Sequence, residues 1–441
     1  MSITQFTMEE VRCFGERQTL EIRPLTFLVG ENSTGKTTSL ACFHILANYL
    51  RGRGVVFNGL PQNLHPYSMG TFRDIVRNSR KKEKIFRLGF TSKHADEDVQ
   101  WTVEFVEKKE GIEPAVNSIT IELIDGTIII ETKDNMEMEV GLDFFEEERN
   151  QYQILCGPEV LNSLPFFFVL SAFQGQSEEK NAFSKYLEKK SEKSKNGRPQ
   201  LWHIWDTISM FSTSPVRSRP ERTYDPTREF KDPEGSDVPM YLMRIEATQK
   251  KDWEVLKQQL VEFGKSSDLF QNIEIKRLGR ALGSPFQLQF KVRGPRVNII
   301  DVGYGVSQIL PILVQILNPS ISKGPRRALQ STFSLLQQPE VHLHPRAQAE
   351  FSSLLVKLAN KGEQSFIVET HSDYMLDRAR IEIRKGNIDH KDVSVIYFEP
   401  KGNIVKVHNI YFDKMGNMEG VPSHYGEFFL KETDRLMGFE D

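Results

Sequence analysis

Gly30-Glu31-Asn32-Ser33-Thr34-Gly35-Lys36-Thr37 decides the reading of this chain. It fits the pattern G-x-x-x-x-G-K-[ST] and lies where a phosphate-cradling loop has to lie. Before it, Leu20 to Val29 reads as a strand; after it, Thr37 to Leu50 reads as a helix with Leu40, Phe43, Leu46 and Leu50 on one face. A triphosphate needs many donors at once. Successive backbone N–H groups curl around the β-phosphate, the helix start adds positive potential, Lys36 bridges β and γ oxygens, and Thr37 holds Mg²⁺. Asn32, Ser33, Thr34 and Thr38 complete the loop residues expected against the nucleotide. Glycine is required at 30 and 35 because a Cβ would obstruct the tight turn or the phosphate. ATP and Mg²⁺ are therefore the expected cofactors, with kinase, GTPase, motor and ABC-type ATPase all open at this point.

The second half of the chain chooses among them. Phe333-Ser-Leu-Leu336 runs into Gln337-Gln338-Pro339-Glu340 and then Val341-His342-Leu343-His344-Pro345. In a P-loop protein such a strand ordinarily ends in an acid that holds the metal through water, followed by a glutamate that polarises the attacking water. Further on, Phe366-Ile-Val-Glu369-Thr370-His371-Ser372 reads as another buried strand, with His371 placed to sense the γ-phosphate. Between the two halves, Asp301-Val-Gly303-Tyr-Gly305-Val-Ser307-Gln308 is expected to open a helix at Ile309. A glycine-rich turn at a helix start is a second anion site, suited to a γ-phosphate presented by another protomer.

These segments, in this order, resemble the ABC-type ATPases of the SMC, RecF and OLD (overcoming lysogenization defect) group. The resemblance covers about the first 50 and the last 140 residues. Asn409 to Asp413, Gly416, Val421-Pro422 and Gly426-Glu-Phe-Phe429 are also similar to the C-terminal segment of stand-alone bacterial AAA-type members. Many of those are encoded beside an effector, often a nuclease, in antiphage defence systems. The resemblance implies that Lys36 and Thr37 are the Walker A lysine and metal ligand, Gly303 to Ser307 the signature loop, His342 to Pro345 the D-loop region and His371 the switch histidine. It also implies a head-to-tail dimer, or higher oligomer, with ATP sandwiched between the P-loop of one protomer and the signature of the other.

The chain departs from the pattern in three places. The family has an acid, usually glutamate, where Gln337 stands, and often a second acid where Gln338 stands; neither amide can act as a general base. Either Glu340 or water serves instead, or hydrolysis is crippled, or Gln337 has been engineered in place of a natural glutamate to trap ATP. The last is preferred, because Gln is isosteric with Glu. Gln337 is carried, with Thr37, as a metal-site residue, and Gln337, Gln338, Glu340 and His371 as the catalytic set. The third departure is Gly303, which occupies the usual serine position of the signature, with Ser307 lying too deep in the helix to replace its hydroxyl.

The expected fold is α/β: an ABC-type P-loop ATPase head with a mainly parallel sheet, an antiparallel β arm and an irregular, partly helical insertion. The N-terminal lobe is placed at 1–135, the insertion at 136–296 and the C-terminal lobe at 297–441. In the arm, Trp101 to Val106 and Ile119 to Ile124 alternate, and Asp125-Gly126 turns the chain into Thr127 to Glu131. Ser177 to Arg198 and the proline-rich Ser212 to Pro239 read as exposed connection. Asp252 to Phe263 returns to helix, Gln287 to Val292 and Val297 to Ile300 read as strands, and helices and strands alternate from Gly303 onward. Without long heptad runs, no SMC-like coiled-coil arm is expected.

Composition bounds the partners. The 57 Lys and Arg against 60 Asp and Glu exclude a wholesale basic coat for nucleic acid. The longest apolar run, Leu164 to Ala172, is about half of what a bilayer needs, and no secretory signal precedes residue 10. Cys13, Cys42 and Cys156 are too dispersed for a disulfide framework or zinc site, which points to a reducing cytoplasm. His342 and His344 lack a third metal ligand at suitable spacing. Arg217, Arg219 and Arg222 are candidates for a DNA or nucleotide clamp, the alternative being a solvated loop. Lys291 to Arg296 is a short basic run of the same ambiguity. Only 42 residues follow Glu399 and none forms Asp-x-Asp, so any nuclease is expected on a separate polypeptide. The reading is thus an ATP-dependent oligomerisation switch that slowly hydrolyses ATP and controls a separate effector. Its rivals are a RecF-like DNA-repair ATPase and a non-hydrolysing nucleotide-gated scaffold.

Overall fold

The glycine loop joins β3 (Leu25–Gly30) to α1 (Lys36–Leu50), in a computed structural model that describes residues 2–51, 57, 66–78, 84–94, 97–107, 113–124, 126–133, 137–144, 150–155, 208–226, 232–281, 283–317, 331–362, 364–422 and 425. Ser177 to Arg198, Leu164 to Ala172, Cys156 and Gly426 to Phe429 lie outside these residues. The run Leu20 to Val29 is not one strand. β2 (Gln18–Glu21) pairs with β1 (Ser2–Glu9), and β3 enters a different sheet. Pro24 stands between them, and with no N–H to donate it ends the ladder.

Two large sheets enclose α1. The first is antiparallel and continues from β2 and β1 through β4 (Ile85–His94), β5 (Glu97–Glu107), β6 (Pro114–Leu123), β7 (Gly126–Lys133), β8 (Glu137–Phe144) and β9 (Asn150–Leu155). The alternation expected from Trp101 to Glu131 is the β5–β6–β7 meander of this sheet. A short helix, α2 (Phe72–Ile75), packs beneath β5. The second sheet runs in the order β10 (Ile208–Ser212), β14 (Ser331–Gln337), β15 (Gln364–Glu369), β3, β16 (Val393–Lys401), β17 (Ile404–Phe412), β18 (Met418–Glu419). From β10 to β16 every pairing is parallel, and β17 and β18 finish the edge antiparallel. The parallel sheet expected from the sequence is present, with both chain ends and β10 contributing to it.

Phe43 explains why α1 is buried all round rather than on one face. Its ring meets Phe6 at 5.4 Å and Phe90 at 4.8 Å on the first sheet, and Phe333 at 5.7 Å on the second. Each fully buried Phe contributes about 1.5–3 kcal/mol of transfer free energy, so this shared helix clamps the two sheets together.

The other face of the second sheet is covered by helices: α3 (Val238–Thr248), α4 (Lys250–Ser266), α5 (Tyr304–Leu317), α6 (Pro345–Ala359) and α7 (Asp373–Arg384). A three-stranded sheet, β11 (Asn272–Arg277), β12 (Phe286–Lys291) and β13 (Arg296–Asn298), lies beside them. Three expectations are corrected. Ser212 to Pro239 is not loop throughout: it begins on β10 and ends in α3, whose Pro239 sits in the first turn, where its missing N–H costs nothing. The strand from Val297 stops at Asn298, whose side chain accepts the Ile300 N–H at 3.2 Å and turns the chain into a 3₁₀ step over Ile299–Asp301. Finally, α5 starts at Tyr304, not Ile309, and carries Pro311 in its interior; burial of Ile309, Leu310, Ile312, Leu313 and Val314 outweighs the roughly 3 kcal/mol proline penalty.

Candidate functional site

Gly30 and Gly35 have φ of +142° and +90°. A Cβ on Gly30 would lie 2.7 Å from the Phe398 carbonyl on β16, and one on Gly35 2.6 Å from the Phe14 ring. Both positions therefore demand glycine twice over, by conformation and by space. Ser33, at φ +63°, completes the curl. The Lys36 ammonium, 3% exposed, is folded back on the loop: it donates to the carbonyls of Gly30 at 2.9 Å and Glu31 at 2.5 Å. Burial pushes its pKa down, against the opposing pull of Glu369 and Glu31. The Thr34 hydroxyl donates to Glu31 O at 2.8 Å, and Thr38, buried, accepts from Arg12 at 3.2 Å. Glu31, Asn32 and Ser33 are exposed at the loop's rim.

At the C-terminal ends of β14 and β15 the expected residues converge. Gln337 is the register partner of Glu369, and Glu369 that of Leu28 on β3, so β15 lies between the β14 end and the phosphate loop. The Thr37 hydroxyl lies 3.0 and 2.9 Å from the two Glu369 carboxylate oxygens and donates to them. Burial pushes the Glu369 pKa up, while Thr37 and Lys36 pull it down. The sequence alone assigns no role to Glu369. Gln337 is buried, and its amide nitrogen has no acceptor among the described residues. Gln338 takes φ +40° and donates its N–H to the Glu369 carbonyl at 2.9 Å.

Glu340, also buried, accepts the His371 backbone N–H through Oε1 at 2.8 Å. Its pKa is raised by burial, and Arg217 is among the influences that lower it. Arg217, 2% exposed, donates to the carbonyls of Gln337 at 3.0 Å and Gln338 at 3.3 Å. Burial pushes its pKa down to about 10. It is therefore neither a solvated residue nor one available to clamp DNA. His371 is an exposed residue whose pKa is depressed, first by partial burial and then by the Lys36 charge. Ser372 then caps α7 by accepting the Met375 N–H at 3.2 Å.

The Gly303 turn, expected to be the signature, is built against the His342 loop. A Cβ on Gly305 would lie 2.7 Å from the His342 carbonyl, and the Tyr304 and His342 rings meet edge to face at 4.6 Å. Ser307 is buried, and its hydroxyl donates to Tyr304 O at 2.9 Å, inside the helix. A Cβ on Gly303 would meet nothing within 4 Å, and Tyr304 is 45% exposed. Arg222 holds Asp301, just before the turn, through a bidentate pair of 2.9 and 2.7 Å; Arg219 is exposed. His342 and His344 are occupied separately, since His344 caps α6 by accepting the Arg346 N–H at 3.3 Å.

Whether these residues suit ATP and Mg²⁺ rests on the donor set. A hard dication wants oxygen ligands, and Thr37 Oγ1 with the Glu369 carboxylate offers them next to a lysine that any phosphate would draw off its own loop carbonyls. The set fits.

Two family models match successive parts of the chain. A family model described as "AAA domain" matches residues 5–213, and one described as "AAA ATPase domain" matches residues 221–376. An OLD nuclease from Thermus scotoductus is 35% identical over 79 residues, which are 17% of this chain and 15% of the nuclease's length. Among solved structures, an SMC head bound to the C-terminal winged-helix domain of ScpA aligns over 94% of this chain and 99% of its own, at 11% identity and a TM-score of 0.46. The SMC head domain from Thermotoga maritima aligns over 92% and 98%, at 10% identity and a TM-score of 0.38.

Proposed function

We propose that the chain is an ABC-type ATPase of the SMC/OLD-like group, a reading its matches to AAA ATPase domains support, and that it uses ATP as an oligomerisation switch. ATP with Mg²⁺ binds at Gly30 to Thr38, and its γ-phosphate is received by the Gly303 to Ser307 turn of a second protomer, head to tail. Magnesium, when bound, neutralises charge on the β and γ oxygens. Lys36 leaves the Gly30 and Glu31 carbonyls to hold phosphate, and His371 senses the γ-phosphate. The observation that carries this reading is the pairing of two half-sites of unlike exposure. The phosphate loop is closed on its own lysine, and the Gly303 turn presents open space and an exposed Tyr304 outward.

Hydrolysis is slow in this reading, since Gln337 and Gln338 cannot take a proton from water and Glu340 is engaged with His371. A glutamine placed at 337 instead of a natural glutamate belongs to the same reading. A separate effector, nuclease or toxin, reads the oligomeric state in a cytoplasmic antiphage system; the nuclease named among the relatives supports that choice of chemistry. Among the described residues no helix is long and apolar enough to cross a membrane. The RecF-like alternative loses Arg217 as a DNA contact, whereas the two glutamines favour the scaffold alternative. Native mass spectrometry with ATP, run beside phosphate release on the same sample, tests the reading. ATP-loaded oligomers with slow release support it, and a monomer that ignores ATP removes it. Oligomers that retain ATP indefinitely favour the scaffold.

A further inference from the structure

We propose that Glu369 is the carboxylate of the magnesium site, supplied from β15 in place of the missing acid at the end of β14. The inference rests on the nucleotide reading of Gly30 to Thr38 and adds the identity of the acid.

Three observations converge on it. The hydroxyl that would hold the metal, Thr37 Oγ1, already touches both Glu369 oxygens at 3.0 and 2.9 Å. Glu369 is 4% exposed, and Lys36 acts on it through its charge. Among the described residues the carboxylate is hydrogen-bonded by one hydroxyl, with the Lys36 charge acting on it, and a dication is a further partner that would complete the site. Strand order then supplies the geometry. Because β15 lies between β14 and β3, its end is one strand spacing, about 4.8 Å, nearer the phosphate loop than Gln337. In a parallel pair, register partners place their side chains on the same face, so an acid can pass from one strand to its neighbour without leaving the site. Gln337 at the old position is then free to be an amide, whose nitrogen, lacking an acceptor, suits it to donate rather than ligate.

The test is the magnesium dependence of ATP affinity, by calorimetry with Mg²⁺ present or removed by EDTA. In the unaltered chain Mg²⁺ tightens ATP binding at least tenfold. Glu369→Gln keeps the magnesium-free affinity, which reports an intact fold and loop, and loses the tightening. Tightening that survives in Glu369→Gln overturns the proposal. If Glu369→Gln is unfolded by circular dichroism, Glu369→Asp decides: a weakened magnesium effect supports the assignment, and an undiminished one overturns it. Failure of the nucleotide reading is visible separately, as an unaltered chain that binds no ATP under either condition.

Discussion

The Glu340 carboxylate accepts the backbone N–H of His371 at 2.8 Å, across the gap between the ends of β14 and β15. Position 340 follows the two glutamines, so the next acid in sequence is bound to the backbone of the histidine proposed to sense the γ-phosphate. Arg217 adds a buried positive charge nearby. Truncation by Glu340→Ala strands the buried His371 N–H and removes the negative charge near Arg217, and is expected to cost about 1–3 kcal/mol in denaturant unfolding. Glu340→Gln keeps an acceptor for the N–H and is expected to cost distinctly less. Equal stability of all three proteins would show the clasp to be incidental.

Gly35→Ala brings a methyl to 2.6 Å from the Phe14 ring at φ +90°. The loop has to open to admit it, at a cost of about 2 kcal/mol, and ATP should no longer raise the melting temperature. Retained ATP stabilisation in this variant would mean that the nucleotide binds elsewhere.

Gly303 and Gly305 separate a partner's requirement from the protomer's own. Gly305→Ala drives a methyl to 2.7 Å from the His342 carbonyl and should lower stability by more than about 1 kcal/mol. Gly303→Ala meets nothing within 4 Å and should leave stability within about 0.5 kcal/mol of the original. If Gly303→Ala nevertheless reduces ATP-dependent oligomers in sedimentation, a second molecule is what reads that position; unchanged oligomers would release Gly303 from the interface.

The Arg222–Asp301 pair gives the turn a pH signature. The Arg222 hydrogen bond holds the Asp301 pKa below its ordinary value of 3.8. A carboxylate depressed in the fold contributes stability above its unfolded pKa and loses that contribution as pH falls through the lower folded value. The difference in melting temperature between the unaltered protein and Arg222→Gln should therefore be constant from neutral pH to about pH 5 and shrink below about pH 4. Because both side chains are largely exposed, the difference should also fall with added salt. A difference that grows on acidification would contradict the assignment.

Much of this is legible without the structure. Gly30 to Thr37 announces itself because its chemistry is local: glycines at fixed spacing, a lysine and a helix start within eight residues. The strands from β14 onward and the helices between them follow from runs that are apolar on a short period. Glu369 is not legible as a partner of Thr37, because that contact depends on β15 entering the sheet between β14 and β3, and strand order is not written in any one segment. Arg217 misleads for a related reason: the prolines around it suggest solvent, but β10 carries the segment under the β14 end. β17 is not marked by a single alternation, since its buried positions fall at Val405 and then, with opposite parity, at Ile410 and Phe412, so only its pairing with β16 reveals it as a strand.

The central claim is that ATP joins the phosphate loop of one protomer to the Gly303 turn of another. Mixing Lys36→Ala with Gly303→Asp chains tests it most directly, because each lacks a different half of the composite site. Alone, neither variant should form ATP-dependent oligomers in native mass spectrometry, since every site would contain a defective half. Mixed, they should form an ATP-dependent heterodimer holding one nucleotide, between the intact loop of the Gly303→Asp chain and the intact turn of the Lys36→Ala chain. If neither variant associates alone and the mixture also stays monomeric, or if both associate alone as fully as the unaltered protein, the two half-sites do not meet across protomers and the account fails.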